Sequence, residues 1–136
     1  MKFNDTIRDY VDKKVVAYRA SAVISETATS AGEIDVSRYK KITFYLVYTK
    51  GTETGLTVTL KGLHTTGGAE HQLGIHLNTT GNMTQQLYTY LYTATANAIP
   101  LEVDVTGMKY IKLYEMKTGG TASGTLVAGY ILSTAK

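Results

Sequence analysis

From Lys41 to Lys61 apolar and polar residues alternate with a period of two, twice over. Ile42, Phe44, Leu46 and Tyr48 share one parity, and Leu56, Val58 and Leu60 share one parity beyond a polar interruption. Successive side chains of a strand point to opposite faces, so each run acquires one apolar face. Thr43, Tyr45, Thr57 and Thr59 occupy the alternate positions and suit a half-solvated outer face. Lys50 to Gly55 supplies two glycines among polar groups, which predicts a hairpin closed by a longer loop. On this reading Ile42, Phe44, Leu46, Leu56, Val58 and Leu60 build the core, and the hairpin is scaffold.

The rest of the chain carries the same grammar, more weakly. Asn4 or Asp5 can cap a short helix to about Lys13, on which Ile7, Tyr10 and Val11 form a small apolar stripe. Val16, Tyr18, Ala20, Ala22 and Ile24 then alternate as a strand. Ser25 to Gly32 is a polar loop, and Asp35 and Ser37 can fix a turn before Lys41. Gly62 to Glu70 reads as a flexible connection. His71, Leu73, Ile75 and Leu77 predict a third strand, and Asn78 to Asn82 a turn. Gln85 to Thr93 alternates strictly, with Leu87 and Leu91 on one face and Tyr88, Tyr90 and Tyr92 on the other. Thr95 to Pro100 reads as a loop. Leu101, Val103 and Val105 form a strand whose outer face carries Glu102 and Asp104. Strands over Lys109 to Met116 and Leu126 to Leu132 close the chain around the loop Lys117 to Gly124.

Seven or eight short strands after one small helix predict an all-β fold. The expected architecture is an antiparallel, jelly-roll-like β-sandwich with an N-terminal helix or arm over 1–13; a barrel is the alternative. At 136 residues the chain is one domain, 1–136, and long enough to bury a substantial core. It has no cysteine, so disulfide staples, thiolate metal sites and cysteine nucleophiles are excluded. No apolar run reaches membrane-span length, and the charged N-terminus lacks the apolar core of a signal peptide. The expectation is a chain released from cytosolic synthesis without a leader and with no membrane partner.

Charge placement adds one feature. Residues 36–62 carry five cations against the single acid Glu53, whereas residues 63–101 hold no Lys or Arg and only Glu70. Charge depletion on such a scale reads either as a plain polar surface or as a surface covered by another subunit.

Candidate chemistry is thin. His71 and His76 differ by an odd number along one expected strand and so face opposite ways, which argues against a shared metal with His64. Glu102 and Asp104 share a face, but alternation with Leu101, Val103 and Val105 explains them as solvated acids without glycosidase chemistry. No nucleophile elbow, phosphate loop or dinucleotide fingerprint occurs. Arg38, Lys40, Lys41, Lys50 and Lys61 fall at loop ends and strand edges, where lysine commonly guards against aggregation, so nucleic acid is not the expected partner. No metal, cofactor or catalytic residue is expected, and the chain does not read as an enzyme. The residues singled out for contact are Tyr88, Tyr90 and Tyr92, which offer stiff amphipathic area to a protein or a sugar, together with Ile7, Tyr10 and Val11 of the arm.

The order of segments carries a resemblance. Ile34-Asp35-Val36-Ser37 leads into Ile42-Thr43-Phe44-Tyr45-Leu46-Val47-Tyr48; Met108-Lys109-Tyr110-Ile111-Lys112-Leu113 and Gly124-Thr125-Leu126-Val127-Ala128-Gly129-Tyr130-Ile131 follow near the end. Over residues 33–132 this resembles the small β-sandwich virion proteins of tailed bacteriophages, described as structural or capsid-decorating. The resemblance implies a non-enzymatic virion protein that is homo-oligomeric and binds capsid or other virion proteins; a tail-side connector is a minor variant. A carbohydrate-binding or adhesin-type module, with the tyrosine row as glycan platform, is the alternative. The absence of Trp and of a dense Asp/Asn cluster weakens it.

Overall fold

A computed structural model of the chain describes residues 15–79, 82–87 and 89–134. The expected N-terminal helix, with Ile7, Tyr10 and Val11, lies outside the described residues, as does Tyr88. The strands in chain order are β1 (Val16–Val23), β2 (Thr29–Ser30), β3 (Ile34–Asp35), β4 (Lys41–Thr49), β5 (Gly55–Leu63), β6 (His71–Gln72), β7 (Gly74–Thr79), β8 (Asn82–Leu87), β9 (Thr89–Tyr92), β10 (Ala96–Asp104), β11 (Tyr110–Thr118) and β12 (Thr125–Ser133). The described residues form no helix.

Two antiparallel sheets pack together. The first has the order β1-β12-β4-β10; the second has β2-β11-β5-β6, with β3 also on β11 and β9 also on β5. β7 and β8 pair with each other in a separate two-stranded sheet. This is the all-β sandwich expected from strand count and alternation.

The inward parity is the one the alternation predicts. Ile42, Phe44, Leu46 and Tyr48 of β4 face Leu56, Val58 and Leu60 of β5, all fully buried. Leu101 and Val103 of β10, Ile111 and Leu113 of β11, and Leu126 of β12 complete the layer. Burying one such side chain is worth about 1.5–3 kcal/mol, so the shared core is what holds the sheets face to face. Tyr18 of β1 joins it edge-on to Phe44 and Tyr130, at 5.8 and 6.0 Å between ring centres. Its hydroxyl donates to the Gly32 carbonyl at 2.6 Å and accepts from the Leu113 N–H at 3.3 Å. Burial raises the Tyr18 hydroxyl above its ordinary pKa.

The pairing of the central strands differs from the expectation. β4 and β5 do not form a hairpin. β4 pairs with β12 and β10 in the first sheet, and β5 with β11, β9 and β6 in the second. Residues 50–54 are therefore an arch that carries the chain from one sheet to the other. Parity and loop composition are the same for a hairpin and an arch, so only the structure separates them.

A buried carboxylate holds the arch. Glu53 is inaccessible to solvent. Its Oε2 accepts from Tyr48 Oη at 2.6 Å and Gly51 N–H at 2.7 Å; its Oε1 accepts from Ser123 and Gly124 N–H at 2.9 and 2.8 Å. Burial alone would raise its pKa. The Ser123 N–H, then the Tyr48 hydroxyl and the Gly51 and Gly124 N–H groups, outweigh this and hold the carboxyl well below its usual range. Glu53 thereby pins the arch to the 119–124 loop, where Gly119 and Gly120 adopt φ of 64° and 67°, angles that favour glycine.

Several boundaries also shift. The expected strand from His71 to Leu77 breaks at Leu73, with β6 on β5 and β7 on β8. The Gln85 to Thr93 strand divides likewise into β8 and β9. Thr95 to Pro100 is not all loop, since β10 starts at Ala96; it is an edge strand, where a proline removes no ladder bond on the open side. Thr29 and Ser30 of the Ser25 to Gly32 loop pair with β11. The Asp35–Ser37 turn forms as expected, with Ser37 N–H donating to Asp35 Oδ1 at 2.9 Å.

Candidate interaction face

The two outer faces of the sandwich are chemically unlike. On the second sheet Lys61 and Lys112 stand directly opposite each other, a placement that repels. Glu70 lies between them, 2.8 Å from Lys112 Nζ and 3.6 Å from Lys61 Nζ, and accepts from the Tyr114 hydroxyl. Lys61 also sits 4.5 Å over the Tyr114 ring. The Lys112 hydrogen bond, then that of Tyr114, lowers the Glu70 pKa. The charges of this face are paired internally, and Leu91 of β9 and Met116 of β11, exposed on either side of Thr57, add apolar surface beside them.

On the first sheet the central outward residues carry no charge. The residues of outward parity on β4 and β12 are Tyr45, Val47, Val127 and Gly129, in register across the strands as Val47–Val127 and Tyr45–Gly129. Ala17 of β1 continues the second row on one side and Pro100 of β10 on the other. Val15, Tyr45, Val47 and Val127 are exposed, Val15 by 58% and Val47 by 39%. They line a shallow groove of about 370 Å³ with Ala17 and Gly129 in its floor. Gly129 makes the floor possible: a Cβ there would come within 2.5 Å of Val15 Cγ1 and 3.0 Å of the Val16 carbonyl oxygen. Contiguous exposed apolar surface with a polar rim is the usual mark of a contact site. Lys41 and Glu102, paired at 3.2 Å, stand toward one end.

One end of this face is tied to the second sheet by ions. Arg19 interrupts the β1–β12 register, and its guanidinium bonds Glu115 of β11 and the Leu126 carbonyl. It also donates to the Val23 carbonyl at 2.9 Å, while the Ser25 N–H donates to Glu115 Oε2 at 3.2 Å. Both charged side chains are largely buried.

Of the residues singled out from sequence, Tyr90 and Tyr92 are the described ones, and they lie off this face. Tyr90 and Tyr92 are half-buried against the core, and the exposed residue of β9 is Leu91, at 56%. The strip is expected outward, but its two described members turn inward: Tyr90 lies opposite Val58 and Tyr92 opposite Leu56 on β5, whose core parity they join. Burial, then the neighbouring Tyr90, raises the Tyr92 hydroxyl to about 12. His64 and His71 do approach, with ring centres 5.9 Å apart, through the connection after β5. His76 lies on β7, and no group of three or more potential metal ligands occurs among the described residues. Glu102 and Asp104 flank a cleft of about 440 Å³ with Lys40, Lys41 and Thr106; Glu102 is engaged by Lys41, and Asp104 accepts from the Thr106 N–H at 2.8 Å. Of the basic residues, Lys41 and Lys61 sit on different sheets, so no single basic surface forms from the set. Among the described residues no helix is long and apolar enough to cross a membrane.

The apolar outer face went unread in the sequence, although Tyr45, Val47 and Val127 were visible. Apolar residues at both parities of one strand were the available signal.

No protein-family model and no curated protein sequence matches the chain. Solved structures do. The SPBc2 prophage-derived protein YomS superposes with a TM-score of 0.55 at 18% identity, over 90% of this chain and 94% of that one. A subunit of Bacillus endospore appendages, which are disulfide-linked pili, superposes with a TM-score of 0.50 at 17% identity, over 91% of each chain. At such identities the likeness is one of fold, an antiparallel β-sandwich, and it extends over nearly the whole of the chain.

Proposed function

We propose that this chain is a non-enzymatic structural subunit of a phage particle, a capsid-decorating or accessory protein that works by contact with neighbouring subunits. The observation that carries the reading is the bare apolar face of the first sheet beside a second sheet whose outer charges are already paired. Removing that face from water would contribute about 25 cal/mol for each Å² covered, and nothing within the described sandwich covers it. The rigid core would supply the mechanical frame. The fold likeness to a prophage-derived protein and to a pilus subunit supports an assembled, structural setting, and the virion is the location that follows.

The test is association. Light scattering on the purified chain is expected to show an oligomer, and the double variant Val47→Glu/Val127→Glu is expected to be monomeric with an unchanged thermal midpoint. A monomeric parent protein that binds a glycan array would instead favour a carbohydrate-binding module. With Tyr90 and Tyr92 packed on the core, that reading lacks the open tyrosine platform it needs.

A further inference from the structure

Resting on the assembly reading, we infer that the apolar groove of the first sheet receives residues 1–14 of a second copy of this chain. The groove starts where that segment ends. Val15, the first described residue, lines it, its side chain lying against Gly129, where no Cβ intervenes. The segment has the complementary pattern: Ile7, Tyr10 and Val11 recur at helical spacing between Arg8, Asp9, Asp12 and Lys13, giving one apolar stripe and one charged side. A helix is roughly 10 Å across, and the three strands β1, β12 and β4 span roughly the same at about 4.8 Å per strand. One turn-and-a-half of apolar stripe therefore matches the width of Val15, Val127 and Val47.

The donor is a neighbour because the local sequence opposes doubling back. Lys13, Lys14, Val15 and Val16 include no Gly, Pro, Asn, Asp or Ser, the residues that reverse a chain tightly. Val15 and Val16 are β-branched and favour extended continuation away from β1. With no turn residue before β1, the segment is offered to the next molecule, and each copy then gives one arm and receives one. Such a head-to-tail contact closes into a ring or extends, as its rotation dictates.

The chain contains no cysteine, so paired cysteines report the contact cleanly. The double variant Val11→Cys/Val47→Cys, oxidised under mild conditions, is expected to give disulfide-linked dimers and higher species on a non-reducing gel. The control Val11→Cys/Thr59→Cys, with its second thiol on the opposite sheet, is expected to stay uncross-linked. A disulfide confined within one chain, or none at all, overturns the inference. Light scattering on the same reduced samples keeps the two readings apart. An oligomer without the interchain disulfide sinks the arm exchange alone, whereas a monomeric parent sinks the assembly reading itself.

Discussion

Tyr48 Oη donates a 2.6 Å hydrogen bond to Glu53 Oε2 at the foot of the arch between the sheets, and neither side chain reaches solvent. Tyr48 belongs to the core row of β4, so the arch is anchored directly to the hydrophobic layer. Tyr48→Phe keeps the ring and removes one donor, and should cost about 1–2 kcal/mol. Glu53→Ala leaves the Gly51, Ser123 and Gly124 N–H groups and the Tyr48 hydroxyl without their acceptor, and should cost at least about 3 kcal/mol. Urea unfolding checks both; a Glu53→Ala midpoint equal to the parent's would mean the arch does not depend on its carboxylate.

The same carboxylate fixes the sign of acid sensitivity. Its folded pKa is depressed below the ordinary 4.5, so its stabilisation is complete above that value and drains away as pH falls toward the folded one. Asp35, through the Ser37 hydroxyl and N–H, and Glu70, through Lys112 and Tyr114, are depressed too and act in the same direction. Stability should be flat from neutrality to about pH 5 and decline below it. Glu53→Gln, though less stable at neutral pH, should lose less between about pH 7 and about pH 3 than the parent does. Equal losses would count against the assignment.

At the alkaline end the sign reverses. Tyr92, raised from 10.0 to about 12 by burial and by Tyr90, contributes stability that is intact below pH 10 and lost as pH rises through its folded value. Tyr48 and Tyr18 are raised as well, both chiefly by burial. Ultraviolet titration of the folded protein should show a late-ionising class of tyrosines, and Tyr92→Phe should reduce its amplitude. Were every tyrosine to ionise near 10, the inward placement of β9 would be contradicted.

Arg19 and Glu115 bridge the sheets at the opposite edge. Replacing one partner strands the other's charge in a largely buried site, so Arg19→Met should cost about 3–5 kcal/mol. The double variant Arg19→Met/Glu115→Leu leaves no stranded charge and should be more stable than Arg19→Met alone. A thermal double-mutant cycle reads the coupling, and strict additivity would show that the pair does not interact.

What could be read in the sequence depended on how one-sided each strand is. The rows Ile42 to Tyr48 and Leu56 to Leu60 are apolar on one parity and hydroxylic on the other, so their inward faces were legible. Segment Gln85 to Thr93 carries leucines on one parity and tyrosines on the other, both able to be buried, and only pairing with β5 settles the orientation of its part Thr89 to Tyr92. Partner choice was invisible throughout: Gly51 and Gly55 suit a hairpin and an arch alike. Glu53 looked like one polar loop residue among several, because two of its four donors come from residues 123 and 124, some seventy positions away. The apolar outer face was obscured by the same alternation that revealed the core, since Tyr45 and Val47 read as ordinary strand formers.

That β4 and β5 are neighbours in sequence yet belong to different sheets has a kinetic consequence. Their ladders are completed by β10, β11 and β12, so the central strands find their main partners only after residues 96–133 have emerged. Contacts of such separation must overcome loop-closure entropy before they stabilise anything, which slows folding. During synthesis the 41–63 segment would wait with two unpaired, half-apolar strands, the state most open to capture by another chain. The nascent chain is thus adhesive before it is folded, and the timing of β12 decides when that early stickiness ends.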